Sequence, residues 1–200
     1  PAVANKLVIA SPPNLLTTSD SLSFACSDSQ RLCLFKLKQS LDDNNAYNIF
    51  RGSININSSK TFFTVINKID LEDYLLGVVP GEMPSSWGLE ALKAQAVAAR
   101  TYTLKNLGRR KDRGYDLNAD VTDQMYLGYK KEDPRTNKAI LETVGEVLLD
   151  NQGNLIDAYY SSHAGRFTNT AQAAWGLSPS SSLQSKPEHI SSSRATLGGV

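Results

Sequence analysis

Long apolar runs, an excess of charge of one sign and clustered metal-binding residues are all missing from this chain of 200 residues. No stretch approaches the roughly 18 apolar residues that cross a bilayer, so no membrane span is expected within it. Its 21 basic and 20 acidic residues nearly cancel, which removes the polyelectrolyte character that would point to nucleic acid. Histidine occurs only at His163 and His189, and cysteine only at Cys26 and Cys33. A closed zinc site wants four ligands, and no such set stands together here. There is no G-x-S-x-G elbow, no P-loop and no H-E-x-x-H. Ser161 and Ser162 precede His163 directly, but neighbours on a strand point to opposite faces, so the three do not form a triad.

What is present supports one sizeable core, with room for a small subdomain. Residues 1–67 read as β-structure. Leu32 to Lys38 and Ile49 to Asn57 alternate in character, and Thr61 to Asn67 is rich in β-branched and aromatic side chains. Polar clusters at 42–45 and 57–60 supply turns. Residues 70–107 read as helical with a break from Pro80 to Ser86. Residues 115–161 return to strands, including a hairpin from Thr143 to Ser161 that turns at 151–154. From Ser178 onward the chain is rich in Ser and Pro, with little to bury, and 191–200 is expected to be a mobile tail. Cys26 and Cys33 flank a polar hexapeptide between apolar runs. Facing each other in a hairpin they would form a disulfide, which favours an exported protein; two half-buried thiols fit the same spacing.

The segment Ile69 to Pro84 is the most informative. Asp70 is a good helix N-cap, and Glu72 and Asp73 put negative charge in the first turn. Apolar side chains at Leu71, Tyr74, Leu75, Val78 and Val79 make one buried helix stripe. One further step along that stripe lands on Glu82. A carboxylate there is desolvated, which raises its pKa and suits it to acid catalysis. The alternative is that Pro80 and Gly81 end the helix early and leave Glu82 in a solvated loop. A second helix, Trp87 to Asn106, carries Ala91, Ala94, Ala96, Ala98 and Ala99. Its small side chains permit close approach through the core or against the sheet. Gln95 and Arg100 interrupt that stretch and need partners. The basic run Arg100, Lys105, Arg109, Arg110, Lys111 and Arg113 reads by default as a solvated loop after a helix.

Five ordered blocks resemble the SpoIID/LytB family. They are Asp70 to Pro84; Trp87 with Glu90 to Tyr102; Asp123-Gln124-Met125-Tyr126-Leu127-Gly128; Tyr159 to Arg166; and Ala174-Trp175-Gly176. Together they cover about residues 54–188. The resemblance implies an α+β fold, with mixed β-structure packed around a long central Ala-rich helix. In that arrangement 1–67 form a β-rich N-terminal part and 68–190 the catalytic core. It implies an exported protein of the periplasm or cell wall, with glycan strands of peptidoglycan as substrate and no cofactor. Relatives of this kind are lytic transglycosylases or enhancers of wall amidases, and an amidase is then a partner. The family's catalytic glutamate corresponds to Glu82. One carboxylate suffices for that chemistry, because the sugar's own 6-hydroxyl is the nucleophile; ordinary glycosidases need two. Asp120 and Asp123 are the nearest candidates for a second. Candidate substrate contacts are Arg100, Tyr102, Gln124, Tyr126, Ser162 and His163, with Trp175 as a further stacking residue. For Arg100 the alternative is an anchor for backbone carbonyls or another carboxylate, away from Glu82.

Some family members carry cysteine and histidine in the block around Tyr159 to Arg166 and are associated with zinc. This chain keeps His163 but has no cysteine after residue 33. Elemental analysis of the purified protein is therefore expected to find no stoichiometric zinc, and EDTA to leave any activity unchanged. A tetrahedral metal site that includes His163 would contradict this.

Overall fold

The computed structural model describes residues 2–5, 21–24, 34–38, 47–58, 63–161, 167–176 and 183–187. These divide between two compact units, 1–158 and 159–200. The fold class is α+β. The β-rich N-terminal strands share the first unit with the long helices.

In the first unit, five strands form one sheet: β1 (Ala2–Asn5), β2 (Ser21–Phe24), β5 (Ser53–Ser58), β6 (Phe63–Lys68) and β7 (Leu117–Asn118). Their order is β2-β5-β6-β1-β7, antiparallel except where β1 meets β7. A second sheet pairs β3 (Leu34–Lys38) with β4 (Tyr47–Arg51). The sequence reads 49–57 as one run, but Gly52 splits it. Its φ of 81° is open to glycine, and a Cβ there would collide with the Lys68 carbonyl. Asn67 secures this kink, donating from Nδ2 to the carbonyls of Arg51 at 2.8 Å and Ser53 at 3.0 Å.

Helix α1 (Leu71–Glu82) follows β6 directly. Asp70 occupies the N-cap position, but its side chain makes no capping bond, contrary to expectation. The apolar stripe is as read: Tyr74, Leu75, Val78 and Val79 are fully buried. The expected break at Pro80 does not occur there, and the helix runs through Pro80 to Glu82. A proline this close to the end removes one hydrogen bond and leaves the last turn to be closed by Met83 N–H on the Val79 carbonyl at 3.0 Å. Helix α2 (Leu89–Lys105) begins two residues later than expected and packs against α1 and α3 (Pro134–Leu141). Ala96 and Ala99 are buried on the same side as Leu92.

Helix α3 replaces part of an expected strand region. Asp133 caps it, accepting from Arg135 N–H at 2.8 Å, and Pro134 opens its first turn, a pairing suited to a helix start. The hairpin expected over 143–161 shrinks to a bridge between Leu149 and Leu155 around the foreseen turn. Residues 124–126, read in the sequence as strand-like, belong to no strand; Tyr126 N–H donates to the Ala119 carbonyl at 3.3 Å.

The segment 124–128 crosses α1 at two glycines one helical turn apart. A Cβ on Gly77 would lie 2.6 Å from the Tyr126 ring, and one on Gly81 would lie 2.6 Å from the Met125 carbonyl oxygen. Leu127 N–H donates to the Gly77 carbonyl at 3.0 Å. Tyr126 cannot swing aside: it is buried, its hydroxyl donates to Asn67 Oδ1 at 2.9 Å, and its ring lies 5.0 Å from Tyr74. In the second unit, Phe167 bridges Pro187, and Thr170 caps a short α4 (Ala171–Trp175) that Gly176 ends at φ 67°.

Alanine ordinarily stabilises a helix interior relative to glycine by about 0.5–1 kcal/mol. Here the sign is expected to reverse: Gly77→Ala and Gly81→Ala should each lose about 1–3 kcal/mol in denaturant unfolding, because the crossing segment must shift. Stabilisation by either alanine would contradict this packing.

Candidate functional site

Glu82 is the last residue of α1 and is half-buried. Its Oε1 accepts the Met125 N–H at 2.6 Å, so the crossing segment that Gly77 and Gly81 admit also holds this carboxylate. No ion pair reaches Glu82 among the described residues.

The residues flanking Met125 lock the segment inward. Asp123 has a side chain 0% exposed and pairs with Arg110 at 2.6 Å and Arg109 at 3.6 Å. It also accepts Asn118 N–H at 2.8 Å and the Tyr102 hydroxyl at 3.2 Å. Gln124, fully buried, donates to Thr103 Oγ1 at 2.8 Å and the Tyr74 hydroxyl at 3.3 Å. Burial pushes both the Tyr74 and Tyr126 phenols up, so both remain neutral.

Four of the expected substrate contacts lie in the interior. Tyr102, Gln124 and Tyr126 are buried and bonded to protein groups, and they form the scaffold behind Met125. Arg100 is 1% exposed. Its guanidinium meets the Glu72 carboxylate through Nε and Nη2, both at 2.8 Å, and reaches the carbonyls of Glu146 at 3.1 Å and Ile140 at 3.4 Å. It therefore ties α1, α2 and the end of α3 together, apart from Glu82. Ser162, His163, Cys26 and Cys33 lie outside the described residues, as does the side chain of Trp175.

Neither candidate for a second carboxylate is a free acid. Asp123 is consumed by its arginines, and Asp120 is exposed and bonds Thr122, whose hydroxyl and N–H hold its carboxyl below the usual range. The basic run is thus only partly a solvated loop: Arg100 and Arg110 point inward. Sequence reading also missed Arg51, which binds Glu132 through two bonds of 2.6 and 2.8 Å and lies 5.0 Å over the Tyr129 ring. Nothing local in the sequence marks a pair 81 residues apart. Gly77 and Gly81 were readable as glycines one turn apart in a helix, a spacing that invites close backbone approach.

A helix-end carboxylate held by a crossing loop defines a site with one acidic group poised at the surface of an α+β domain. Residues 59–149 match the model of the SpoIID family, described as stage II sporulation protein. An amidase enhancer of Bacillus subtilis (strain 168) is 45% identical over 104 residues, 52% of this chain and 14% of that protein. Stage II sporulation protein D of the same organism is 30% identical over 125 residues, 55% of this chain and 36% of its own length. That of Bacillus amyloliquefaciens is also 30% identical over 125 residues. The chain thus spans a minor part of each relative.

Truncating Glu72 strands a buried guanidinium. Glu72→Ala is expected to cost about 3–5 kcal/mol, and Arg100→Ala a comparable amount. The double variant should cost less than the sum, measured by denaturant unfolding. Arg100→Ala should lose stability at least as much as activity; a stable but inactive protein would move Arg100 onto the substrate.

Proposed function

We propose that this chain is a peptidoglycan lytic transglycosylase, cleaving between N-acetylmuramic acid and N-acetylglucosamine with Glu82 as its acid and base. The observation that supports it is the placement of Glu82: half-buried at the end of α1, with one oxygen engaged by Met125 N–H and the other carrying no bond to the described residues. In the first step the carboxyl proton passes to the glycosidic oxygen as the C1–O bond breaks. The resulting carboxylate then takes the proton of the same sugar's 6-hydroxyl, whose oxygen bonds to C1. The products are a 1,6-anhydro end and a free 4-hydroxyl, with no water consumed. On this reading β-structure is packed around α2 in a catalytic core of residues 68–190, and the protein acts after export, in the periplasm or cell wall.

A second reading rests on the relative named amidase enhancer. In it the same face binds glycan or a wall amidase without turning glycan over.

Glu82→Gln separates the two. The amide retains an acceptor for Met125 N–H, so the fold should survive, but it can neither give nor take the proton. Incubated with sacculi and with peptide-free glycan strands, the wild type should yield 1,6-anhydromuramyl ends by mass spectrometry. The Gln variant should yield at least about a hundredfold fewer. Wild-type turnover by the variant would remove Glu82 as the catalyst. Absence of anhydro ends from the wild type, with stimulation of an added amidase, would establish the second reading instead.

A further inference from the structure

The turn between α1 and α2 is held more firmly than its length requires. Trp87 N–H donates to the Pro84 carbonyl at 3.1 Å, and the Trp87 carbonyl accepts Arg135 Nη2 at 2.8 Å. The Asp133 carboxylate accepts Arg135 N–H at 2.8 Å, which fixes the residue that holds the turn. Asp133 and Arg135 belong to the start of α3, so the turn is clamped to a separate helix through the Trp87 carbonyl.

With its backbone fixed on both sides, Trp87 nevertheless leaves its side chain in water: the residue is 50% exposed. A lone exposed apolar residue on a protein surface needs no explanation. Trp87 differs in position and in preparation. It stands on a clamped turn five residues after Glu82, a separation of at most about 17 Å in extended chain, and the Pro84–Trp87 turn shortens it further.

We propose that Trp87 is a stacking platform for a pyranose ring of the glycan, in a subsite adjoining Glu82. This rests on the glycan-cleaving reading above and adds a binding residue to it. The chemistry fits at both ends. A pyranose has one face rich in C–H groups and a rim of hydroxyls, and an indole offers a flat, electron-rich face with one N–H donor at its edge. Ligand sites of this kind combine aromatic surface with few polar groups. Because the turn is already ordered, binding does not have to freeze it. Trp87 touches no reacting atom, so its contribution is equal in ground and transition states and falls on KM rather than kcat.

The test uses purified peptide-free glycan strands as the probe. Binding is measured on the Glu82→Gln protein, alone and combined with Trp87→Ala or Trp87→Leu; KM and kcat are measured with Glu82 intact. Trp87→Ala should weaken binding about tenfold and raise KM in proportion, with kcat unchanged. Its melting temperature should stay within about two degrees, since the clamp uses backbone groups. Trp87→Leu keeps bulk without the flat face and should weaken binding similarly; it decides the matter if the Ala variant unfolds. Wild-type affinity in the folded Ala or Leu variant overturns the platform, as does a lack of glycan binding by the Glu82→Gln protein. Full turnover by Glu82→Gln would instead overturn the acid and leave the dependence of binding on Trp87 as measured.

Discussion

The approach of the 124–128 segment to α1 is the constraint on which the site depends. Two glycines one turn apart let backbone meet helix at contact distances that no Cβ allows, and Met125 thereby brings its amide to Glu82. Tyr126 fastens the same segment to Asn67, and Asn67 fastens the kink at Gly52 where one sheet passes into the next. The conformation of a single carboxylate is thus set by a chain of contacts that runs from the sheet, through a buried tyrosine, to the end of a helix.

Three arginines provide the second layer of order, each joining segments distant in sequence. Arg51 links β4 to Glu132, Arg100 links α2 to Glu72 of α1, and Arg110 links the turn after α2 to Asp123. Pairs of this kind add little net stability over apolar replacements, but each is costly to break singly, and their geometry discriminates strongly between arrangements. Part of the charge that reads as surface in the sequence is thereby buried and matched. With Arg100 committed to Glu72 and two carbonyls, Glu82 has no cationic neighbour within ion-pair distance among the described residues.

What was legible in the sequence follows from the range of the forces involved. The α1 stripe, the α2 helix and the strands from 47 to 68 rest on local periodicity, and all three were readable. The turn at 151–154 was readable for the same reason, but its strands were not, because only the bridge between Leu149 and Leu155 joins its two sides. Helix α3 was passed over although Asp133-Pro134 is a helix-start signal; its eight residues carry too short a period to outweigh the β-branched neighbours. Glu82 emerged because the helical stripe points to it and the family motif contains it. Gln124, Tyr126 and Tyr102 read as substrate contacts because hydrogen-bonding amides and phenols look alike in sequence whether they face a cleft or a core. Only their tertiary partners, Thr103, Asn67 and Asp123, separate the two. Gly52 and Gly77 show the opposite case, in which the residue is conspicuous but the atom it makes room for lies elsewhere in the chain.

The central claim is that the crossing segment presents the Glu82 carboxyl to a glycosidic bond. A crystal structure of the Glu82→Gln protein with a bound glycan strand tests it in one measurement. The account predicts a glycosidic oxygen about 3 Å from the side-chain amide of residue 82, with Met125 N–H still bonded to that residue's oxygen. A glycan bound elsewhere on the domain, or a residue 82 side chain turned away from the sugar with Met125 released, would contradict it.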